Sequence, residues 1–125
     1  MKKNYGTALN CIDGRTQIPV INWMQQNCCV NYVDLITELG MDKVLSQGSC
    51  DEIERLRRNT IISINAHHAK VVAVVGHDDC AANPVSDQEH YYDIRASMRV
   101  VKSWELPVTV IGLFVDKFRC VLVVK

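Results

Sequence analysis

The run Val71-Val72-Ala73-Val74-Val75-Gly76 constrains this chain more than any other stretch. An unbroken β-branched series of this length, closed by glycine, predicts a strand covered on both faces, which belongs inside a parallel sheet carrying helices on either side. The residues after it bear the chemistry. His77 and Cys80, spaced H-x-x-C, can direct two soft ligands into one space from a single turn. That turn lies at a strand's carboxyl end, where open α/β sheets place their ligands. A second such turn, Cys11-Ile12-Asp13-Gly14-Arg15, follows a short strand expected at residues 7–10.

The rest of the chain supplies the layers such a strand needs. Pro19 suits the first turn of a helix in which Val20, Trp23 and Met24 share a face, ending near Asn27 and Cys28. Residues 31–37 read as a second strand. Ser49-Cys50-Asp51-Glu52 and Ser86-Asp87-Gln88-Glu89 are capping-box patterns, each followed by apolar residues at helical spacing: Ile53, Leu56, Thr60, Ile61 and Ile64 in one, Tyr91, Ile94, Met98, Val101 and Trp104 in the other. Residues 108–115 form a strand after Pro107, and Asp116-Lys117 is a tight turn into a last strand at 118–124.

The order β-α-β-α-β-α-β-β predicts an α/β fold in three layers, with a mainly parallel sheet of about five strands and helices on both faces. A strand order of 2-1-3-4 plus an antiparallel last strand puts the topological switch point between the first and third strands. Both turns would then open there. No repeat or linker interrupts the pattern, so residues 1–125 are expected to form one domain. At this length folding buries roughly two-thirds of the unfolded surface, enough for a core without disulfides.

Fourteen basic residues balance fourteen acidic ones. A neutral chain argues against a nucleic-acid or anionic-membrane surface and for a small-molecule or protein partner. No stretch has the apolar length of a membrane span, and Met1-Lys2-Lys3-Asn4-Tyr5-Gly6 leads into a strand rather than a signal-peptide core, so a cytoplasmic location is expected. In a sequence of this helix-and-strand character the six cysteines are expected to be reduced.

Cys11, His77 and Cys80 make a Cys2His set suited to zinc at metal–sulfur distances near ~2.3 Å, with a fourth position to fill. Two thiolates offset most of the charge of Zn2+, so a bound water would be acidified less than at an all-histidine site, and activity would favour alkaline pH. Asp13 has two possible roles. It can orient that water, or it can take the fourth position itself and close the site. A two-pronged pair with Arg15 would hold it off the metal and ionised. The C-x3-R spacing is not the C-x5-R cradle of a cysteine phosphatase.

Cys11-x-Asp13-x-Arg15 followed by Gly76-His77-x-Asp79-Cys80 resembles the paired C-x-D-x-R and H-x-x-C motifs of the β-class carbonic anhydrases, of which this chain looks like a short, divergent member. The resemblance implies a zinc enzyme that reversibly hydrates carbon dioxide to bicarbonate through zinc-bound hydroxide. Cys11, His77 and Cys80 would be the metal ligands and Asp13 with Arg15 the catalytic dyad. Three departures bear on the pocket. Ala81-Ala82 follows Cys80 where the family has glycine, Thr37-Glu38-Leu39-Gly40 stands where an Arg-Asn-Ala-Gly-like turn is usual, and only ten residues precede Cys11, without the family's N-terminal helical arm. Two alternatives therefore stay open: a zinc hydrolase of carbon disulfide or carbonyl sulfide, and a closed structural or sensory zinc centre.

Other reactive residues have plainer readings. Cys28, Cys29, Cys50 and Cys120 lack ligand spacing with the core set. His67 and His68 end a helix, where imidazole suits the dipole, and His90 sits in a first turn. Arg55, Arg57 and Arg58 read as a solvated or subunit-contact face. Asp78 and Asp79 would support the ligands or cap the next turn. The apolar 121–124 segment at a sheet edge suggests a homodimer or higher homo-oligomer.

Overall fold

The computed structural model describes residues 3–125; Met1 and Lys2 of the opening lead-in lie outside them. One five-stranded sheet runs through the molecule in the order β2-β1-β3-β4-β5. Its strands are β1 (Tyr5–Cys11), β2 (Tyr32–Glu38), β3 (Val71–His77), β4 (Thr109–Val115) and β5 (Val121–Val124). The first four are parallel and β5 is antiparallel to β4, as the element order predicts.

Every residue of β3 is buried, and its side chains alternate between two separate apolar clusters. Val71, Ala73 and Val75 join Val20 and Met24 of α1 (Gly14–Asn27) on one face. Val72 and Val74 face the other cluster, with Met41 and Leu45 of α2 (Met41–Gln47), Leu56 of α3 (Cys50–His67), and Ile94 and Val101 of α4 (Asp87–Ser103). One helix therefore covers one face and three cover the other.

Several local expectations need correction. β1 is longer than the expected 7–10 segment, because Tyr5 and Gly6 already pair with Tyr32 and Val33 of β2. Pro19 lies in the second turn of α1, not the first, since Asp13 caps the helix and Gly14 begins it. The ring there leaves the Arg15 carbonyl without its usual donor four residues on. α2 is an additional helix between β2 and α3, so the element order has two consecutive helices where one was expected. The chain turns into it through Gly40, whose φ of 64° is left-handed.

At α3 the capping box is complete: Ser49 Oγ accepts from the Glu52 N–H and Glu52 Oε1 accepts from the Ser49 N–H. At α4 only the first half forms, Ser86 Oγ accepting from the Glu89 N–H. Residues 118–120 belong to the β4–β5 turn, where the Asp116 carboxylate accepts from the Phe118 and Cys120 N–H groups, and β5 begins at Val121. No described helix is long and apolar enough to cross a membrane.

At the centre of β4, a Cβ on Gly112 would lie 2.6 Å from Met98 Sδ, 2.8 Å from Ile94 Cγ2 and 3.1 Å from the Val124 carbonyl. Gly112→Ala therefore presses α4 away from the sheet. We expect it to cost about 1–3 kcal/mol, read as a lower urea midpoint at unchanged m-value.

Candidate metal centre

β1 and β3 pair over Thr7↔Val72, Ala8↔Ala73 and Leu9↔Val74, with no further partners toward their carboxyl ends. The crevice opens there, and Cys11 and His77 are the last residues of the two strands. The ligand atoms of Cys11, His77 and Cys80 lie within 4.8 Å of one another, and all three residues are buried.

The donor set fits a metal cation in detail. His77 Nδ1 sits 2.7 Å from the Asp78 carbonyl, which can only accept, so Nδ1 carries the proton. Nε2 is left buried and without a hydrogen-bond partner. A histidine ligand is normally held in this way, one nitrogen anchored and the other bare. The two sulfurs are 4.0 Å apart. The neighbouring Cys80 thiol holds the Cys11 thiol down at about 3 against the opposing effect of burial. The Cys11 sulfur, aided by burial, pushes Cys80 up. Two thiols this close, one of them favouring the thiolate, suit a soft dication. Burial opposes protonation of His77, but Cys11, the Asp78 carbonyl and Asp13 outweigh it and raise the imidazole.

Asp13 and Arg15 form a fork. Arg15 Nη2 donates to Asp13 Oδ2 at 2.6 Å and Nε to Oδ1 at 3.0 Å, while the Arg15 backbone N–H donates to the same Oδ1 at 2.9 Å. One carboxylate therefore caps α1 and clamps the guanidinium. The other side of Arg15 reaches Asp79, with Nη1 to Oδ2 at 3.2 Å and Nη2 to the carbonyl at 3.1 Å. Asp79 lies between the two ligands of the second turn in left-handed backbone, at φ 57°. Arg15 consequently ties the Cys11 turn to the His77–Cys80 turn. Asp13 is not among the converging ligand atoms.

A cavity of about 450 Å³ lined by Arg15, Asp78, Asp79, Cys80, Pro84, Val85 and Arg119 opens beside Cys80. A slightly larger one, about 500 Å³, lies at the opposite end of the strands near Cys28, Cys29 and His68, away from the ligand cluster. Cys29, Cys50 and Cys120 are exposed and Cys28 half-buried, and none joins the cluster. His67 instead meets Asp34 at 2.7 Å and stacks on Tyr5, while Arg55 pairs with Glu38 and Arg57 with Glu54.

The sequence reading misses a second polar group. Asp42, Asn83, His90 and Asp93 are all buried and joined by hydrogen bonds just behind the metal turn. Met41, Val44 and Leu45 are at helical spacing, a signal that α2 and its first-turn Asp42 exist. Nothing in the spacing pairs Asp42 with His90.

A parallel α/β sheet that gathers two thiols and an imidazole at its switch point, next to a forked aspartate–arginine pair, defines an α/β protein with a candidate metal site. A family model described as "Putative carbonic anhydrase" matches residues 1–125, and the chain belongs to that family as a short, divergent member. Among solved structures it is similar to the β-carbonic anhydrase isoform I of Trichomonas vaginalis, at 16% identity and a TM-score of 0.59 over 94% of this chain and 81% of that one. It is also similar to a structure from a study of two tetrameric β-carbonic anhydrases of Sordaria macrospora, at 13% identity and a TM-score of 0.61 over 98% and 81%. At these identities the likeness shows a shared fold. A search of curated protein sequences finds no significant match.

Arg15 holds the Asp13 carboxyl well below its ordinary 3.8, the hydrogen bond between them being the main cause. A depressed carboxyl contributes stability above its unfolded value, and that contribution is lost as pH falls through the folded one. In the metal-free protein, the Asp13 carboxyl carbon should therefore titrate by NMR below pH 3.8. In Arg15→Gln the midpoint should move back up.

Proposed function

We propose that this protein reversibly hydrates carbon dioxide to bicarbonate at a zinc ion held by Cys11, His77 and Cys80. The observation that carries the reading is the convergence of those three ligand atoms within 4.8 Å beside an aspartate clamped by arginine. Cys11, His77 and Cys80 would hold the zinc ion, which would supply an acidified water as nucleophile. The remaining chemistry belongs to the chain. Cys11 and Cys80 soften the site and offset the dication's charge, which moves the working range toward alkaline pH. His77 presents Nε2 because the Asp78 carbonyl holds Nδ1.

Asp13 is the acceptor for a proton on the attacking water. Arg15 keeps it ionised, and an ionised carboxylate only accepts. Its Oδ1 is occupied by the Arg15 N–H and Nε, and Oδ2 takes Nη2, with a longer 3.2 Å contact from Nε. One lone pair of Oδ2 is left to orient a donor. Arg15 spends four of its five N–H donors on Asp13 and Asp79, so its main part is to fix that carboxylate. The cavity beside Cys80 gives a small molecule access.

Self-association fits the same reading. The edge strands β2 and β5 leave Tyr32, Leu122 and Val123 exposed, and a homo-oligomer would cover such apolar edges. Multi-angle light scattering should give a mass of at least twice 14.1 kDa, and a monomer across a wide concentration range would count against it.

Stopped-flow hydration assays on zinc-loaded protein, from neutral to alkaline pH, test the reaction. The rate should climb with pH. Asp13→Asn should keep its zinc while turnover falls about 10²-fold or more, and Cys80→Ser should lose both metal and activity. A zinc-replete protein with no rate at any pH would overturn the proposal. Turnover of carbonyl sulfide instead would reassign the substrate.

A further inference from the structure

Asp42 is among the most buried charged residues of the chain, and it sits directly behind the metal turn. Its side chain is 2% exposed and its Oδ2 accepts from His90 Nδ1 at 2.7 Å. Asn83 Nδ2 donates to its Oδ1 at 3.1 Å and also to Asp93 Oδ2 at 3.0 Å. Ser97 Oγ and Ser46 Oγ donate to its backbone carbonyl at 2.9 and 2.6 Å. His90, Asp93 and Ser97 lie on α4, so these contacts fasten the start of α2 to that helix.

The contacts lead to the ligands by three routes. Gly76 directly precedes His77, and a Cβ there would come 2.7 Å from Asp42 Oδ2, so the carboxylate rests on the backbone of β3. Asn83 donates its backbone N–H to the Cys80 carbonyl at 3.3 Å, closing the turn that carries that ligand. Gly40 lies two residues before Asp42, at the left-handed turn into α2. It also packs on Ala82 so closely that a Cβ would lie 3.1 Å from the alanine's. A buried carboxylate is costly to desolvate, and well-packed apolar side chains would fill the same space at lower cost. Its fully hydrogen-bonded placement between the two ligand turns points to orientation of those turns.

We propose that Asp42 is a positioning residue for the metal centre: anchored by His90 and Ser97, it braces the Gly76 backbone that leads into His77 and, through Asn83, the turn that carries Cys80. This rests on the reading that Cys11, His77 and Cys80 bind a metal, and is independent of the reaction catalysed there.

The test is Asp42→Asn. The two side-chain donors that meet this carboxylate, Asn83 Nδ2 and His90 Nδ1, cannot both be satisfied by an amide of the same shape, which must turn its own NH2 toward one of them. Zinc affinity, measured by chelator competition, should fall about 10- to 100-fold. In the Co2+-loaded protein the thiolate-to-cobalt charge-transfer band should shift. Asn83→Ala cuts one arm and leaves the Asp42–His90 bond in place. It should shift the band in the same direction with a smaller loss of affinity, which keeps the test decisive if Asp42→Asn does not fold. Val101→Ala, in the core near the far end of α4, serves as a destabilised control with its ligands untouched. If the Asp42 and Asn83 variants lose stability as that control does, yet keep the parent's zinc affinity and cobalt spectrum, Asp42 is merely structural and the proposal fails. A parent protein that binds neither zinc nor cobalt would overturn the metal reading and this proposal together.

Discussion

The parallel pairing of β1 with β3 is the contact on which the site depends. These strands are far apart in sequence, and only their adjacency brings Cys11 beside His77 and Cys80. The pairing is secured by burial: Ala8 and Leu9 on β1 and the whole of β3 are enclosed, and their alternate side chains feed two different cores. A register slip of one residue would move each set to the wrong face, so the register is tightly specified. Because β1 and β3 stop pairing before their ends, the crevice at the switch point follows from the same arrangement.

Around that crevice the chain spends its charged and polar groups sparingly. Asp13 caps α1 through Oδ1 and clamps Arg15 with both oxygens, and Arg15 spans both turns. The two sulfurs lie 4.0 Å apart, and His77 is held in the tautomer that leaves Nε2 bare. Each group is oriented by a partner before any ligand arrives, which is the usual condition for tight and selective coordination. The turn Thr37-Glu38-Leu39-Gly40 and the Ala81-Ala82 stretch are in contact through Gly40 and Ala82. They belong to one packed unit, with Asp42 and Asn83 as its hydrogen-bonded part.

Much of this was legible in the residues alone. The β-branched run over 71–75 identifies the central strand, because only a strand enclosed on both faces can be apolar at successive positions and remain in a soluble sheet. Serine followed by glutamate three residues on marks the starts of α3 and α4, since that pairing satisfies orphan backbone donors locally. The sheet order follows from the alternation of elements and right-handed crossovers. Boundaries were less legible. α2 is only seven residues long and follows a left-handed glycine, so its apolar pattern is too brief to stand out beside β2 and α3.

What the sequence determined by itself is local and periodic: the elements, their order, and the two short motifs whose spacing carries ligand chemistry. What the tertiary structure decided is every relation between residues distant in the chain. Arg15 reaching Asp79, Asp42 meeting His90, and Gly40 seated on Ala82 are separated by dozens of positions, and no period or cap encodes them. They form because two cores and a fixed register hold α2, α4 and the ligand turns at hydrogen-bonding distance, and desolvation there makes each unmet polar group costly enough to select its partner.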